Sequence, residues 1–116
     1  MRPILLAATL ALAAPAAAQD LTMVMVEQAG CIYCQRWDAE AAPGWPNTEV
    51  GRAAPLRRVD ITALPDDVAF ASTLVFTPTF VLVRDGAEIG RVEGYDPQFF
   101  WPMAERLVTD ARDGDG

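Results

Sequence analysis

The sequence predicts an α/β domain built on a four-stranded mixed sheet with helices on both faces, in the order β-α-β-α-β-β-α. Three observations predict this order: four apolar or alternating runs have strand length, helix-compatible segments follow the first two, and Asp85-Gly86 signals a hairpin between the last two. Strands joined through helices run parallel, whereas a hairpin is antiparallel. The first run, Leu21–Val26, is apolar almost throughout, as in a strand covered on both faces. The predicted strands are Leu21–Gln28, Leu56–Ile61, Phe80–Val83 and Glu88–Glu93.

Two helices are predicted between these strands. The first spans Cys31–Ala42 and carries an inward stripe that includes Trp37. A short helical turn capped by Thr48 follows it. The second helix is predicted over Thr62–Leu74, where Pro65 and the acidic residues after it suit a first turn.

A last helix is predicted after the fourth strand. Asp96 is expected to cap it, with Pro97 at the first helical position. Pro102 would then lie inside the helix, where it removes a hydrogen bond, so we expect a kink there. Residues 111–116 consist mostly of charged residues and glycine and are predicted to form a flexible tail. The expected inward stripe is Phe100, Met103, Leu107 and Ala111.

The N-terminus has the pattern of a secretory signal peptide. Arg2 is the positive region, Ile4–Ala14 is an uncharged apolar run, and Ala16-Ala17-Ala18 is a cleavage signal. The apolar run is too short for a helix that spans a bilayer. We therefore expect residues 1–18 to be cleaved and residues 19–110 to form one domain in the periplasm.

The composition limits the classes of partner. The chain has 116 residues with a formal net charge of −7, and all nine basic residues are arginines. An acidic domain without a basic run argues against nucleic acid as a partner and against an anionic membrane surface. We expect a monomer without a cofactor.

The two cysteines, Cys31 and Cys34, form a C-x-x-C motif between the first strand and the first helix. Such a motif at a strand-to-helix junction is typical of a thiol–disulfide exchange centre. At a helix N-terminus, free backbone N–H groups and the helix dipole favour the thiolate of Cys31. Cys34, one turn on, could attack a mixed disulfide at Cys31 and release the partner. We therefore predict Cys31 as the nucleophile and Cys34 as the resolving thiol.

The motif has two other interpretations. A zinc site needs two more ligands, and the chain has no histidine and no further cysteine, so we expect no metal. A purely structural disulfide would close a very short loop and would stabilise the fold little.

The order of elements, with C-x-x-C after the first strand and Thr77-Pro78 before the third, resembles the thioredoxin fold. The resemblance covers residues 21–108. It implies that the Thr77–Pro78 peptide bond is cis and that Pro78 lies against the redox cysteines. It also implies that Thr77 pairs through its backbone with an extended substrate and that Ile32 and Tyr33 contact that substrate.

More narrowly, the chain resembles the SoxS-type periplasmic thioredoxin-like proteins of sulfur-oxidation operons. The resemblance implies a reductase that keeps the sulfur-carrier complex SoxYZ active by reducing its cysteine. It further implies that a membrane thiol transporter supplies the electrons. The segments that carry it are Glu27–Cys34, Gly51–Ile61, Phe76–Gly86, Glu88–Tyr95 and Phe99–Trp101.

Some positions depart from related proteins. Thioredoxins carry a buried aspartate six positions before the first cysteine, where this chain has Met25. Assistance to proton transfer must then come from water or Glu27, or be weaker. C-x-x-C centres span about −270 to −120 mV, so the motif does not reveal the direction of electron flow.

Three other functions stay open beside the reductase. The first is a general disulfide oxidant or isomerase of exported proteins. The second is a glutaredoxin-like enzyme, which Tyr33 favours and Glu93-Gly94-Tyr95 weakens. The third is a non-catalytic adaptor whose disulfide only orders a docking surface, for which the aromatic cluster of Tyr95 and Phe99–Trp101 is the candidate.

Overall fold

The structure is a computed structural model that describes residues 20–114 of the chain. The predicted signal peptide, residues 1–18, lies outside the described residues, as do residues 115–116. In the described part, no helix is long and apolar enough to cross a membrane. The strands are β1 (Leu21–Glu27), β2 (Leu56–Asp60), β3 (Thr79–Arg84) and β4 (Ala87–Glu93), and the helices are α1 (Ile32–Glu40), a 3₁₀ helix (Ala42–Asn47), α2 (Glu49–Ala53) and α3 (Phe100–Asp113).

The four strands form one mixed sheet in the spatial order β2-β1-β3-β4, which confirms the predicted sheet. β1 and β2 run parallel, and the other two neighbouring pairs are antiparallel. In the β3–β4 hairpin, Asp85 and Gly86 have positive φ values of 54° and 77°, as a tight two-residue turn requires. β1 and β3 are the central strands, and this position explains why both are buried almost throughout.

One face of the sheet, which we call the helix face, is covered by α1, the 3₁₀ helix and α3. It presents Met23, Met25, Phe80 and Leu82, because side chains alternate along each strand. Trp37 of α1 is fully buried there, with its ring centroid 5.0 Å from that of Phe80. Large buried aromatic rings contribute much of the hydrophobic energy of a core, so they hold the helices to this face.

The opposite face, which we call the loop face, presents Val24, Val26, Val81 and Val83. It is covered by residues 61–78. The helix predicted over Thr62–Leu74 is wrong, because this segment forms turns, bends and two isolated bridges instead. The expectation of helices on both faces is therefore corrected: a loop covers the second face. Val68 and Leu74 of this loop are nonetheless buried against the sheet.

The start of this loop shows a physical reason for the missing helix. The Asp60 carboxylate accepts hydrogen bonds from both the backbone N–H and the hydroxyl of Thr62, at 2.7 and 2.6 Å. Such a local side-chain turn offers the backbone an alternative to a helical turn. The chain then reaches Pro65, which has no N–H to donate.

The connector between α1 and β2 confirms the predicted cap. The Thr48 hydroxyl accepts the N–H of Gly51 at 3.0 Å and begins α2. α1 ends at Glu40, two residues before the predicted end, and the chain continues as a 3₁₀ helix through Pro43 and Pro46.

The last helix begins later than predicted. Asp96 opens a turn in which its backbone oxygen accepts the N–H groups of Phe99 and Phe100, and α3 starts at Phe100. Pro102 thus falls in the first helical turn, where an N–H would have no partner within the helix, so the expectation of a kink is removed. Met103 is 48% exposed, and the helix continues through Asp113 into the predicted tail. The buried stripe is Phe100, Ala104 and Val108.

Candidate active site

The C-x-x-C motif lies where β1 passes into α1. Gly30 has a φ of +82°, which a residue with a side chain rarely adopts, and it turns the chain toward the helix. Cys31 is the N-cap residue of α1, and its Sγ accepts the backbone N–H of Cys34 at 3.1 Å. The sulfur of Cys31 therefore faces the free N–H groups of the first helical turn, where negative charge is favoured.

The two cysteines differ in their accessibility. They are joined in a disulfide, and their Cα atoms lie 5.2 Å apart. Cys31 is partly exposed, whereas Cys34 is 4% exposed and packs in the core of the helix face. A reacting partner can therefore approach the sulfur of Cys31 but not that of Cys34.

The Thr77-Pro78 segment lies at the same end of the sheet as the motif. Thr79, the first residue of β3, pairs with Val26 near the end of β1. The Thr77–Pro78 peptide bond is cis, and the buried Pro78 accepts the N–H of Gly94 at 2.7 Å. Within residues 20–114, the backbone of Thr77 makes no hydrogen bond, so its N–H and C=O are available to an incoming strand.

Four exposed apolar side chains occupy the two segments that carry these features. Ile32 and Tyr33 are 65% and 55% exposed, and Val75 and Phe76 are 65% and 55% exposed. Sequence reasoning selected the first pair but missed the second as site residues. Their position directly before Thr77-Pro78 was the signal that could have found them. We refer to Ile32, Tyr33, Val75 and Phe76 as the apolar rim.

An arginine lies near the position where thioredoxins carry a buried aspartate. Met25 is fully buried, and Nη1 of Arg58 lies 3.6 Å from its sulfur. Arg58 also pairs with Asp38 of α1 at 2.7 Å and with Glu27 at 3.1 Å. The hydrogen bond to Asp38, and then the one to Glu27, raises the pKa of Arg58. Glu27, the carboxylate expected to assist proton transfer, is thus held in an ion pair between β1 and β2. The Arg58–Asp38 pair links α1 to the sheet.

The C-terminal aromatic cluster mostly fills the core. Phe100 is 1% exposed, and Trp101 and Tyr95 pack against the same core. The Tyr95 hydroxyl donates to Glu40 at 2.7 Å, and burial together with this carboxylate raises the pKa of Tyr95 to about 12. Only Phe99 of this cluster is largely exposed, at 52%. A docking patch built from all four rings is therefore not formed.

Comparison with solved structures identifies the family. The periplasmic thioredoxin SoxS from Paracoccus pantotrophus, in its reduced form, is 50% identical, with a TM-score of 0.75. The match covers 78% of this chain and 98% of that protein. This chain belongs to the SoxS-type thioredoxins. The resemblance to the SoxS-type proteins that the sequence indicated is thereby confirmed.

More distant structures support the same fold. Fasciola hepatica thioredoxin is 18% identical over 78% of this chain and 84% of its own, with a TM-score of 0.59. The Malassezia sympodialis thioredoxin is 16% identical over 79% and 80% of the two chains, with a TM-score of 0.56. Neither a protein-family model nor a curated protein matches the chain. The thioredoxin fold and the Cys31–Cys34 pair together make this SoxS-type protein a thiol–disulfide oxidoreductase.

Proposed function

We propose that this protein is an exported periplasmic reductase that cycles between the Cys31–Cys34 dithiol and its disulfide. The observation that carries the proposal is the asymmetry of the pair, with Cys31 accessible at the N-cap of α1 and Cys34 buried behind it. The predicted leader, residues 1–18, would direct the chain out of the cytoplasm.

In the reduced protein, the Cys31 thiolate attacks a disulfide of the partner. A mixed disulfide forms between Cys31 and the partner, and the other sulfur of the partner leaves as a thiolate that takes up a proton. Cys34 then loses its proton and attacks Sγ of Cys31, which releases the second partner thiol and leaves the Cys31–Cys34 disulfide. Two electrons pass to the partner in each cycle.

The substrate is proposed to bind as an extended segment beside Thr77. The unpaired backbone N–H and C=O of Thr77 support this role, and Pro78, buried behind Thr77, fixes their position. Ile32 and Tyr33 would contact apolar groups of the same segment, because both are exposed directly beside Cys31.

The proposed partner is a sulfur-oxidation carrier of the SoxYZ type, whose cysteine the enzyme would return from an oxidised or mixed-disulfide form to the thiol. The 50% identity to a SoxS protein over nearly the whole of that protein supports this partner. A membrane thiol transporter is the proposed source of electrons, because the disulfide must be reduced again after each cycle. We propose that the protein acts as a monomer.

The test is to trap the partner. Cys34→Ser, produced with its leader in the source cell, should accumulate a mixed disulfide at Cys31 because the resolving thiol is gone. One dominant adduct with a sulfur-carrier subunit is the expected result. Mixed disulfides with many different exported proteins would instead indicate a general oxidant or isomerase. A reduction potential of about −120 mV, which is typical of a strong oxidant, would support that alternative.

Two further experiments distinguish the reductase from the other candidate functions. The double variant Cys31→Ser, Cys34→Ser should give no adduct, and it separates an enzyme from an adaptor. An adaptor would keep its partner bound when both sulfurs are absent, whereas the reductase should lose all activity. Turnover with glutathione alone would point to the glutaredoxin-like alternative.

A further inference from the structure

A nearly buried ion pair lies on β4, outside the redox motif. The Arg91 side chain is 12% exposed and the Glu88 side chain is 4% exposed. The guanidinium donates from Nε to Oε2 of Glu88 at 2.6 Å and from Nη2 to Oε1 at 2.8 Å. Such a two-point pair between a guanidinium and a carboxylate is strong and fixes the orientation of both groups.

The same pair holds the loop that replaces the predicted helix. Nη2 of Arg91 donates to the backbone oxygen of Ser72 at 3.0 Å, and Nη1 donates to that of Thr73 at 3.3 Å. Oε1 of Glu88 accepts the backbone N–H of Ala71 at 2.8 Å. The side chains of Glu88 and Arg91 thus satisfy backbone groups of three consecutive loop residues. In a helix, backbone hydrogen bonds would have satisfied these groups.

The loop continues directly into the segment that faces the substrate. Leu74 is buried in the loop face, after which Val75 and Phe76 project into solvent. Beyond them, the hydroxyl of the fully buried Thr79 donates to the backbone oxygen of Phe76 at 2.6 Å. The exposed stretch between Leu74 and Pro78 is therefore anchored on both sides.

We propose that Arg91 is a positioning residue for substrate binding. With Glu88 as its partner, it holds Val75, Phe76 and Thr77 in the conformation that receives an extended protein segment, and Val75 and Phe76 contact an apolar side chain of that segment. A loop that is already ordered avoids the entropy cost of ordering on binding. The inference rests on the proposed substrate site at Thr77. Arg91 itself touches neither the cysteines nor the substrate.

The test compares a protein disulfide with a small one. Arg91→Lys keeps the positive charge but loses the forked geometry that reaches Glu88 and the loop together. We expect its KM for insulin disulfides to rise about tenfold, the change expected when one loop residue must be ordered on binding. kcat at saturating insulin, the reduction potential and the rate with the small disulfide DTNB should stay as in the wild type. Arg106→Lys is the matched control, because the Arg106–Asp110 pair lies within α3 and its side chains are 84% and 72% exposed.

Hydrogen exchange and two further variants test the positioning role of Arg91. Hydrogen exchange should become faster at the amides of residues 71–77 in Arg91→Lys and not in Arg106→Lys. If Arg91→Lys does not fold, Glu88→Gln, which keeps an acceptor for Ala71, should show the same rise in KM. Phe76→Ser should also raise KM while the exchange rates stay unchanged.

An unchanged KM in a folded Arg91→Lys variant would overturn the inference. So would a loss of the same size with DTNB or a shift in reduction potential, because a positioning role acts on protein substrates alone. Wild-type protein that reduces neither insulin nor DTNB would instead overturn the proposed reductase. The two failures are therefore distinguishable.

Discussion

On the helix face of the sheet, Trp37, Phe80 and Phe100 are almost fully buried against one another, with ring centroids 4.8 to 5.7 Å apart. The loop face has only a small aliphatic core around Val24, Val26, Val81 and Val83. It adds polar contacts instead: Arg91 and Glu88 hold residues 71–73, and Arg57 pairs with Asp67. The first face is secured by packing, whereas the second depends also on the Arg91–Glu88 pair that holds its loop.

This difference corresponds to a division of the active site. Cys31 and Cys34 begin the helix that packs on the aromatic core, so the redox pair has a rigid support. Val75, Phe76 and Thr77 end the loop that the polar pairs hold. The redox pair and the proposed substrate segment at residues 75–77 thus rest on different forces, and substitutions should separate them.

The largest expected effect is on the helix face. Phe100→Ala should lower the free energy of unfolding by about 3–5 kcal/mol, because it removes a ring at the centre of the aromatic cluster and leaves a cavity. Urea denaturation followed by tryptophan fluorescence measures this change. A loss below about 1.5 kcal/mol would mean that the aromatic cluster is not the main support of this face.

A matched truncation on the loop face should cost less. Leu74→Ala is expected to lower the free energy of unfolding by about 2 kcal/mol, the lower end of the range for this substitution, because Leu74 lies in a small core and is 9% exposed. The same denaturation experiment gives the value. A cost equal to that of Phe100→Ala would remove the distinction between the two faces.

Acid should weaken the loop face through Glu88. The hydrogen bond from Arg91 holds the pKa of Glu88 below its usual 4.5, with a further contribution from the N–H of Ala71. A carboxyl group with a lowered folded-state pKa stabilises the protein above its unfolded-state pKa and loses that contribution as the pH falls through the folded value. The stability difference between wild type and Glu88→Gln should therefore be largest near neutral pH and shrink below about pH 4.5.

Unfolding curves for both proteins, from neutral pH to about pH 3, test this expectation. The other carboxylates with lowered pKa values, Asp60 and Asp67, are present in both proteins, so they cancel in the comparison. A difference that stays constant across this range would show that Glu88 is not the acid-sensitive group.

The smallest effect is expected at the exposed pair of the loop face. Arg57 and Asp67 meet through two contacts of 2.9 and 3.0 Å, but their side chains are 41% and 65% exposed. Solvent and salt screen such pairs, so Arg57→Ala should leave the unfolding midpoint within error of the wild type. A loss comparable to that of Leu74→Ala would show that this pair, too, holds the loop.

Local patterns in the sequence were sufficient to predict much of the fold and the position of the redox pair. The continuous apolar run at Leu21–Val26 predicted a strand covered on both faces, and Asp85-Gly86 predicted the hairpin; both predictions are confirmed. The cap at Thr48 was equally local, because its hydroxyl bonds a backbone N–H three residues away. The spacing of Cys31 and Cys34 placed the redox pair at the start of a helix.

Tertiary contacts decided the rest. Residues 62–74 have a helix-compatible pattern, but the partners of Ala71, Ser72 and Thr73 lie on β4, 17 to 19 residues further along the chain. Such contacts exist only once the strands have paired in register, so no local pattern could indicate them. The sequence by itself determined the strands, the sheet and the redox pair, because their signals lie within a few residues. The loop face, the anchored segment before Pro78 and the packing of Tyr95 and Trp101 against the core were decided only when distant residues packed together.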